Sequence, residues 1–219
     1  AGIAIGVVVL PQLSKFVHSK KKNKIQLIQN KALELSMFLS IPATIALMIG
    51  SYEIVSALFG YGSFDKVSVE NSANALYFFS LGLPAFALIK VFSSFFFANH
   101  DTKTPFYISL VSVILNIIIS LYYFRDIGFI IIPIATSISS WFNSIILFIY
   151  LSNKKLFSFN KIFIKNLFKI LFASILMGFV FKYLTSFFGN QLIYDYEFKL
   201  IFIILVVIIA LILYLLISY

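Results

Sequence analysis

The chain has 219 residues, of which 61% are hydrophobic and 11% charged, with a formal net charge of +9 and a mean hydropathy of +1.02. A soluble domain carries about a quarter charged residues, so a single soluble core is excluded and a membrane protein is indicated. Cysteine is absent, which excludes disulfides and thiolate metal sites.

Apolar runs of about twenty residues match the roughly 30 Å hydrocarbon core of a bilayer. Seven such segments can be counted, and they predict an all-α, polytopic transmembrane bundle. The chain starts at Ala1 inside an apolar run, without a methionine or a basic leader region, so a fragment of a longer protein is expected. The first span covers residues 1–17 and contains Gly2-x-x-x-Gly6, a spacing that lets another helix approach closely. Pro11 removes a backbone donor near its inner end.

Residues 18–31 form a basic turn in which Ile25 and Ile28, continued by Ala32 and Leu35, fall at helical spacing. This predicts an amphipathic helix on the membrane surface leading into the second span, residues 32–59, with Pro42 inside it. The second span closes at the glycine-rich turn Gly60-Tyr61-Gly62-Ser63-Phe64. The third span, residues 73–98, holds Pro84 and Lys90. The fourth is residues 105–124, where Thr104 is the expected cap and Pro105 suits the first helical position. The fifth is residues 127–151, with Pro133 in its first third. A basic linker, 152–166, precedes the sixth span at 167–188 and the seventh at 200–218.

Lysine and arginine fall unevenly on the turns. The first, third and fifth turns hold 12 of the 17, and the second, fourth and sixth hold 4. The positive-inside bias therefore puts the odd turns and the C-terminus in the cytoplasm. Topology alone accounts for the net charge, and no nucleic acid is needed. Anionic lipid is the natural contact for Lys20-Lys21-Lys22.

No enzyme constellation is present. The carboxylates lie at span ends or in turns, and none pairs with His18 or His100 at catalytic spacing. No phosphate-binding glycine loop is followed by lysine. Lys90 is the candidate for substrate binding, because an ammonium at bilayer depth costs several kcal/mol unless paired or hydrated. The alternative is a lysine that snorkels to the interface. Pro42, Pro84 and Pro133 are hinge candidates, since each frees a carbonyl one turn earlier; simple bends are the alternative. Asn116 and Ser120 share one face of the fourth span, as Thr136 and Asn143 share one of the fifth. They would bond helix to helix or offer neutral oxygens to a small cation. On the seventh span Ile201, Ile204, Leu205, Ile208, Leu211, Ile212 and Leu215 form an apolar stripe, and Ser174-x-x-x-Gly178 gives the sixth a small-residue surface.

The stretches AGIAIGVVVLPQLSK (1–15), LFGYGSFD (58–65), LGLPAFALIKVFSSFFFANHDTKTP (81–105) and GFIIIPIATSISSWFNSIILF (128–148) resemble the second half of the MurJ (MviN) lipid II flippase family. The resemblance implies a MATE-like fold of two lobes around a cavity, followed by a final helix pair. Residues 1–151 would be second-lobe helices, 152–166 a cytoplasmic linker and 167–219 the final pair. It implies a non-enzymatic, multi-pass protein of the bacterial inner membrane. That protein would move the undecaprenyl-pyrophosphate-linked peptidoglycan precursor, lipid II, by alternating access. A MATE-like exporter of drugs or of another polyprenyl-linked saccharide, and a non-transporting membrane scaffold, are the alternatives. By the same resemblance Lys90 is a cavity cation, and Ile204 and Ile208 line a groove for the polyprenyl tail. No organic cofactor is implied. Asn116 and Thr136 match a sodium site found in some members, with Ser120 standing where an aspartate is expected; sodium or the membrane potential would then supply coupling.

Overall fold

The computed structural model describes Pro11, Leu13, Lys15 and residues 22–218. Among the described residues the chain is helical: α1 (Lys22–Ile49), α2 (Ser51–Phe59), α3 (Lys66–Ser80), α4 (Leu83–Ala98), α5 (Lys103–Ile127), α6 (Ile131–Asn153), α7 (Lys161–Phe187) and α8 (Lys199–Ser218). Each expected span from the second to the seventh has its helix, and the bundle is all-α and transmembrane. The expected first span, with Gly2 and Gly6, falls outside the described residues apart from Pro11, Leu13 and Lys15. Asn23–Ile49, Lys161–Phe187 and Lys199–Ser218 are each long and apolar enough to cross a bilayer, and α3 with α4 passes the same test only when the two are taken together. The apolar stretch Lys103–Asn153 is 51 residues long. It is two crossings, because Asn116 of α5 hydrogen-bonds Thr136 of α6 at 3.1 Å and the two helices must lie side by side.

Several boundaries differ from expectation. No surface helix separates from the second span: α1 runs unbroken from Lys22 through Pro42 to Ile49. Neither glycine nor proline interrupts it before Pro42, and its 28 residues extend about 42 Å, so its start lies beyond the hydrocarbon. The second span does not reach Phe59 as one helix. It breaks at Gly50, where a Cβ would come within 2.5 Å of the Phe181 ring. Thr104 is not the cap of α5. Asp101 takes that role, accepting from the Thr104 N–H at 3.0 Å and from its hydroxyl at 2.8 Å.

The chain divides into two compact units. The first comprises residues 1–40 and 82–168. Its core is the inner face of α4, Val91, Phe92, Phe95 and Phe96, packed with Leu33 of α1 and Leu147 and Leu151 of α6. The spacing of those α4 residues is that of one helical stripe. Phe157, between α6 and α7, stacks on Phe95 at 5.8 Å and meets Phe159 edge-on at 4.9 Å. Burying such a ring contributes about 2 kcal/mol. Two amides of α1, Gln29 and Asn30, each 2% exposed, hold this non-helical strap in place. Gln29 donates to the Leu156 carbonyl at 3.0 Å. Asn30 donates to the Ser158 carbonyl at 3.0 Å and accepts from the Asn160 N–H at 3.1 Å. Asn160 in turn caps α7, accepting from the Phe163 N–H at 2.6 Å.

The second unit comprises residues 41–81 and 169–219. There α7 approaches the last turns of α1 at Gly178, where a Cβ would lie 2.6 Å from Ile45 Cγ2. The buried face of α8 is Lys199, Ile203, Val206, Ala210 and Tyr214, and Tyr214 hydrogen-bonds Ser174 of α7. The small-residue surface of the sixth span thus serves two neighbours, α8 through Ser174 and α1 through Gly178. Val55, Val69 and Ala73 form a small cluster with Phe64 and Tyr194.

Lys154 at the end of α6 donates to Asp101 at 2.7 Å. That hydrogen bond, chiefly, holds the Asp101 carboxyl down at about 2, below the ordinary 3.8. A depressed carboxylate stabilises the fold above its unfolded value and loses that contribution as pH falls through the folded one. The Lys154 side chain is 45% exposed, so solvent screening limits the pair to about 1 kcal/mol. Asp101→Asn should therefore lower stability by about 1 kcal/mol at pH 7. The gap to the parent should close between about pH 4 and 2. Thermal unfolding in detergent micelles at both ends of that window checks it, and a gap that does not change with pH would refute the pairing.

Candidate functional site

A polar seam runs between α5 and α6. On α5, Ser109, Ser112 and Asn116 recur at spacings of three and four. On α6, Thr136, Ser139, Ser140 and Asn143 do the same. Such spacing places each set on one helix face, and in lipid the two sets satisfy one another. Asn116 Nδ2 donates to Thr136 Oγ1 at 3.1 Å and to Ser139 Oγ at 3.4 Å. Asn143 Nδ2 donates to Ser109 Oγ at 3.3 Å. The remaining hydroxyls turn to their own helices, with Thr136 donating to the Ile132 carbonyl at 2.7 Å and Ser112 to Ile108 at 2.8 Å. Beside the seam lies an open pocket of about 270 Å³, lined on its apolar side by Phe86 and Ile89 of α4.

Sequence reasoning had named Asn116, Thr136 and Asn143. It missed Ser109, Ser112, Ser139 and Ser140, although all four stand one or two turns from a named residue, and that spacing was the available signal. Ser120 is not drawn in: its Oγ is buried without a partner among the described residues. Asn116 presents an N–H to the Thr136 oxygen, whose own hydrogen goes to the Ile132 carbonyl. No cluster of three His, Cys, Asp or Glu stands among the described residues.

Lys90 lies away from the seam's hydrogen bonds, on the open face of α4 with Phe86 and Phe97. It makes no ion pair or hydrogen bond among the described residues. Pro42 is buried inside an unbroken α1, and Pro84 is the second residue of α4. Pro133 is the third residue of α6. A proline in a first turn costs no intrahelical bond, so Pro84 and Pro133 start helices, and only Pro42 interrupts one. The chain passes from one unit to the other after residues 40, 81 and 168, so Pro42 and Pro84 stand two and three residues beyond the first two crossings. Ile204 and Ile208 are each 49% exposed, on the face of α8 opposite its buried residues.

These features define a multi-pass helical membrane protein whose helices are joined by uncharged polar side chains. The chain belongs to the lipid II flippase MurJ family, whose family model matches residues 1–216, in agreement with the resemblance read from the sequence. It is similar to the probable lipid II flippase MurJ of Rickettsia prowazekii strain Madrid E, 38% identical over 149 residues, which cover 68% of this chain and 29% of that protein. The corresponding protein of Thermotoga maritima is 34% identical over 190 residues, 86% of this chain and 37% of that one. A solved lipid II flippase MurJ in an inward closed conformation superposes with a TM-score of 0.78 at 27% identity, over 99% of this chain and 42% of that structure. The chain thus spans about a third of the length of the curated relatives it matches.

If the seam joins the helices as described, Asn116 and Thr136 are energetically coupled. A double-mutant cycle of Asn116→Ala and Thr136→Val, read by unfolding in detergent, should give a coupling of about 0.6 kcal/mol and at most about 2. Strict additivity would remove the bond from the account.

Proposed function

We propose that this chain is the part of a lipid II flippase that supplies second-lobe helices and the final helix pair. The flippase moves the undecaprenyl-pyrophosphate-linked precursor across the bacterial inner membrane by alternating access. The observation that carries this reading is the family match along nearly the whole chain, and the superposition on a flippase in a closed, inward state supports it. No bond is made or broken in such a step, in keeping with a chain whose polar residues serve helix pairing. The lysine bias supports a cytoplasmic C-terminus.

Lys90 attracts the pyrophosphate. Its Cα lies eight residues before Ala98, the end of α4, or about 12 Å along the helix. A helical side chain leaves the backbone tilted toward the helix N-terminus, which points Lys90 away from that end and works against snorkelling there. Pro42 and Pro84, beside the crossings between the units, are the hinges of the rocking motion. Ile204 and Ile208 give the polyprenyl tail an apolar track, which the outward stripe of α8 supports.

In the complete transporter, Lys90→Ala should lower the flipping rate about tenfold, the loss of one charge-assisted contact, with protein level little changed. Lys90→Arg should keep most of the rate. Full activity in Lys90→Ala would return the residue to an interfacial role. A photoreactive residue at Ile204 or Ile208 should crosslink a polyprenyl pyrophosphate lipid in preference to bulk phospholipid. Equal capture of both would make α8 an ordinary lipid-facing helix.

A further inference from the structure

Lys199 takes no part in the seam, yet it is a buried charge in the second unit. It opens α8 and is 1% exposed. Its Nζ donates to the carbonyl of Gly60 at 2.8 Å and to that of Tyr194 at 2.5 Å. The same nitrogen lies 4.4 Å from the centre of the Tyr61 ring and 4.5 Å from that of Tyr194. The neighbouring carboxylate, Asp195, is paired with Lys66 at 2.9 Å. A cation in the first turn of a helix meets the positive end of the helix dipole, and a buried ammonium is expensive unless fully coordinated. Two carbonyls and two ring faces provide that coordination.

The ring walls of this cage have hydrogen bonds of their own, one local and one that already crosses between the two turns. The Tyr61 hydroxyl donates to the Ala57 carbonyl at 2.9 Å, and the Tyr194 hydroxyl donates to the Phe64 carbonyl at 2.7 Å. Gly60 must lack a side chain, because a Cβ would come 2.6 Å from the Ser56 oxygen and 3.2 Å from the Lys199 nitrogen. One wall thus belongs to the turn after α2 and the other to the turn before α8.

We propose that this is an ammonium-binding site occupied by the chain's own lysine, and that it makes the turns at 60–64 and 193–198 open and close together. Separating either turn from the nitrogen strips a carbonyl and a ring from a buried cation, so neither opens alone. The inference concerns the second unit itself and does not depend on the transported substrate.

The test is hydrogen exchange on the full chain in detergent micelles, following the amides of Phe64 and Tyr196, each bonded within its own turn. In Lys199→Ala both turns should lose protection together, by about tenfold or more. Propylammonium, which replaces the missing Cγ-to-Nζ segment, should restore protection to both, and 1-propanol at the same concentration should not. Lys199→Met keeps the apolar stem and the fold, and it should show the same paired loss. Loss confined to one turn, rescue by the alcohol equal to that by the amine, or parental protection in Lys199→Met would each overturn the proposal.

Discussion

In hydrocarbon, a backbone amide or carbonyl without a partner costs several kcal/mol, whereas a made hydrogen bond returns only about one. The structure follows from that asymmetry. Inside the helices the backbone satisfies itself. At three helix starts a side chain takes over: Asp65 accepts from the Ser68 N–H at the start of α3, and Asp101 and Asn160 do the same for α5 and α7. Asn30 and Gln29 serve the strap at 156–160. Lys199 serves two carbonyls at once.

The same constraint divides the work of α4. Its inner face carries the aromatic core of the first unit, which requires no polar atoms. Its outer face keeps Phe86, Lys90 and Phe97 open. The packing of the inner face does not depend on the Lys90 charge. Substituting Lys90 therefore leaves the aromatic core intact. The α5–α6 seam is the converse case, with polar groups turned inward on one another and little left for a ligand.

The chain belongs to a family whose curated relatives are about three times the length it spans, and it passes between its own two units beside two prolines. Pro42 removes a hydrogen bond inside α1 close to the first crossing. Pro84 stands just after the second, where α3 has already ended at Ser80. The stretches with the most satisfied polar contacts, the strap held by Asn30 and the cage around Lys199, each lie within a single unit.

The spans were legible in the sequence because a bilayer demands apolar runs of about twenty residues, and that demand is local. Asn116 and Thr136 were legible for the same reason: they stand out as polar on apolar faces. Helix ends were read less well. The Thr104 cap gave way to Asp101, because a carboxylate three residues earlier reaches both the N–H and the hydroxyl of Thr104. The stripe Ile25, Ile28, Ala32 and Leu35 predicts a separate amphipathic surface helix, yet α1 runs on unbroken, with Leu35 exposed and Gln29 and Asn30 buried. Lys199 was counted among the turn charges, yet it is enclosed. Gln29, Asn30 and Lys199 meet partners 127 to 139 residues away. The sequence by itself determined which segments enter the membrane, since hydrophobicity and helical period are properties of neighbouring residues. Only the tertiary structure decided which polar residues are buried, because burying one is tolerable only where a distant part of the chain supplies the other half of the bond.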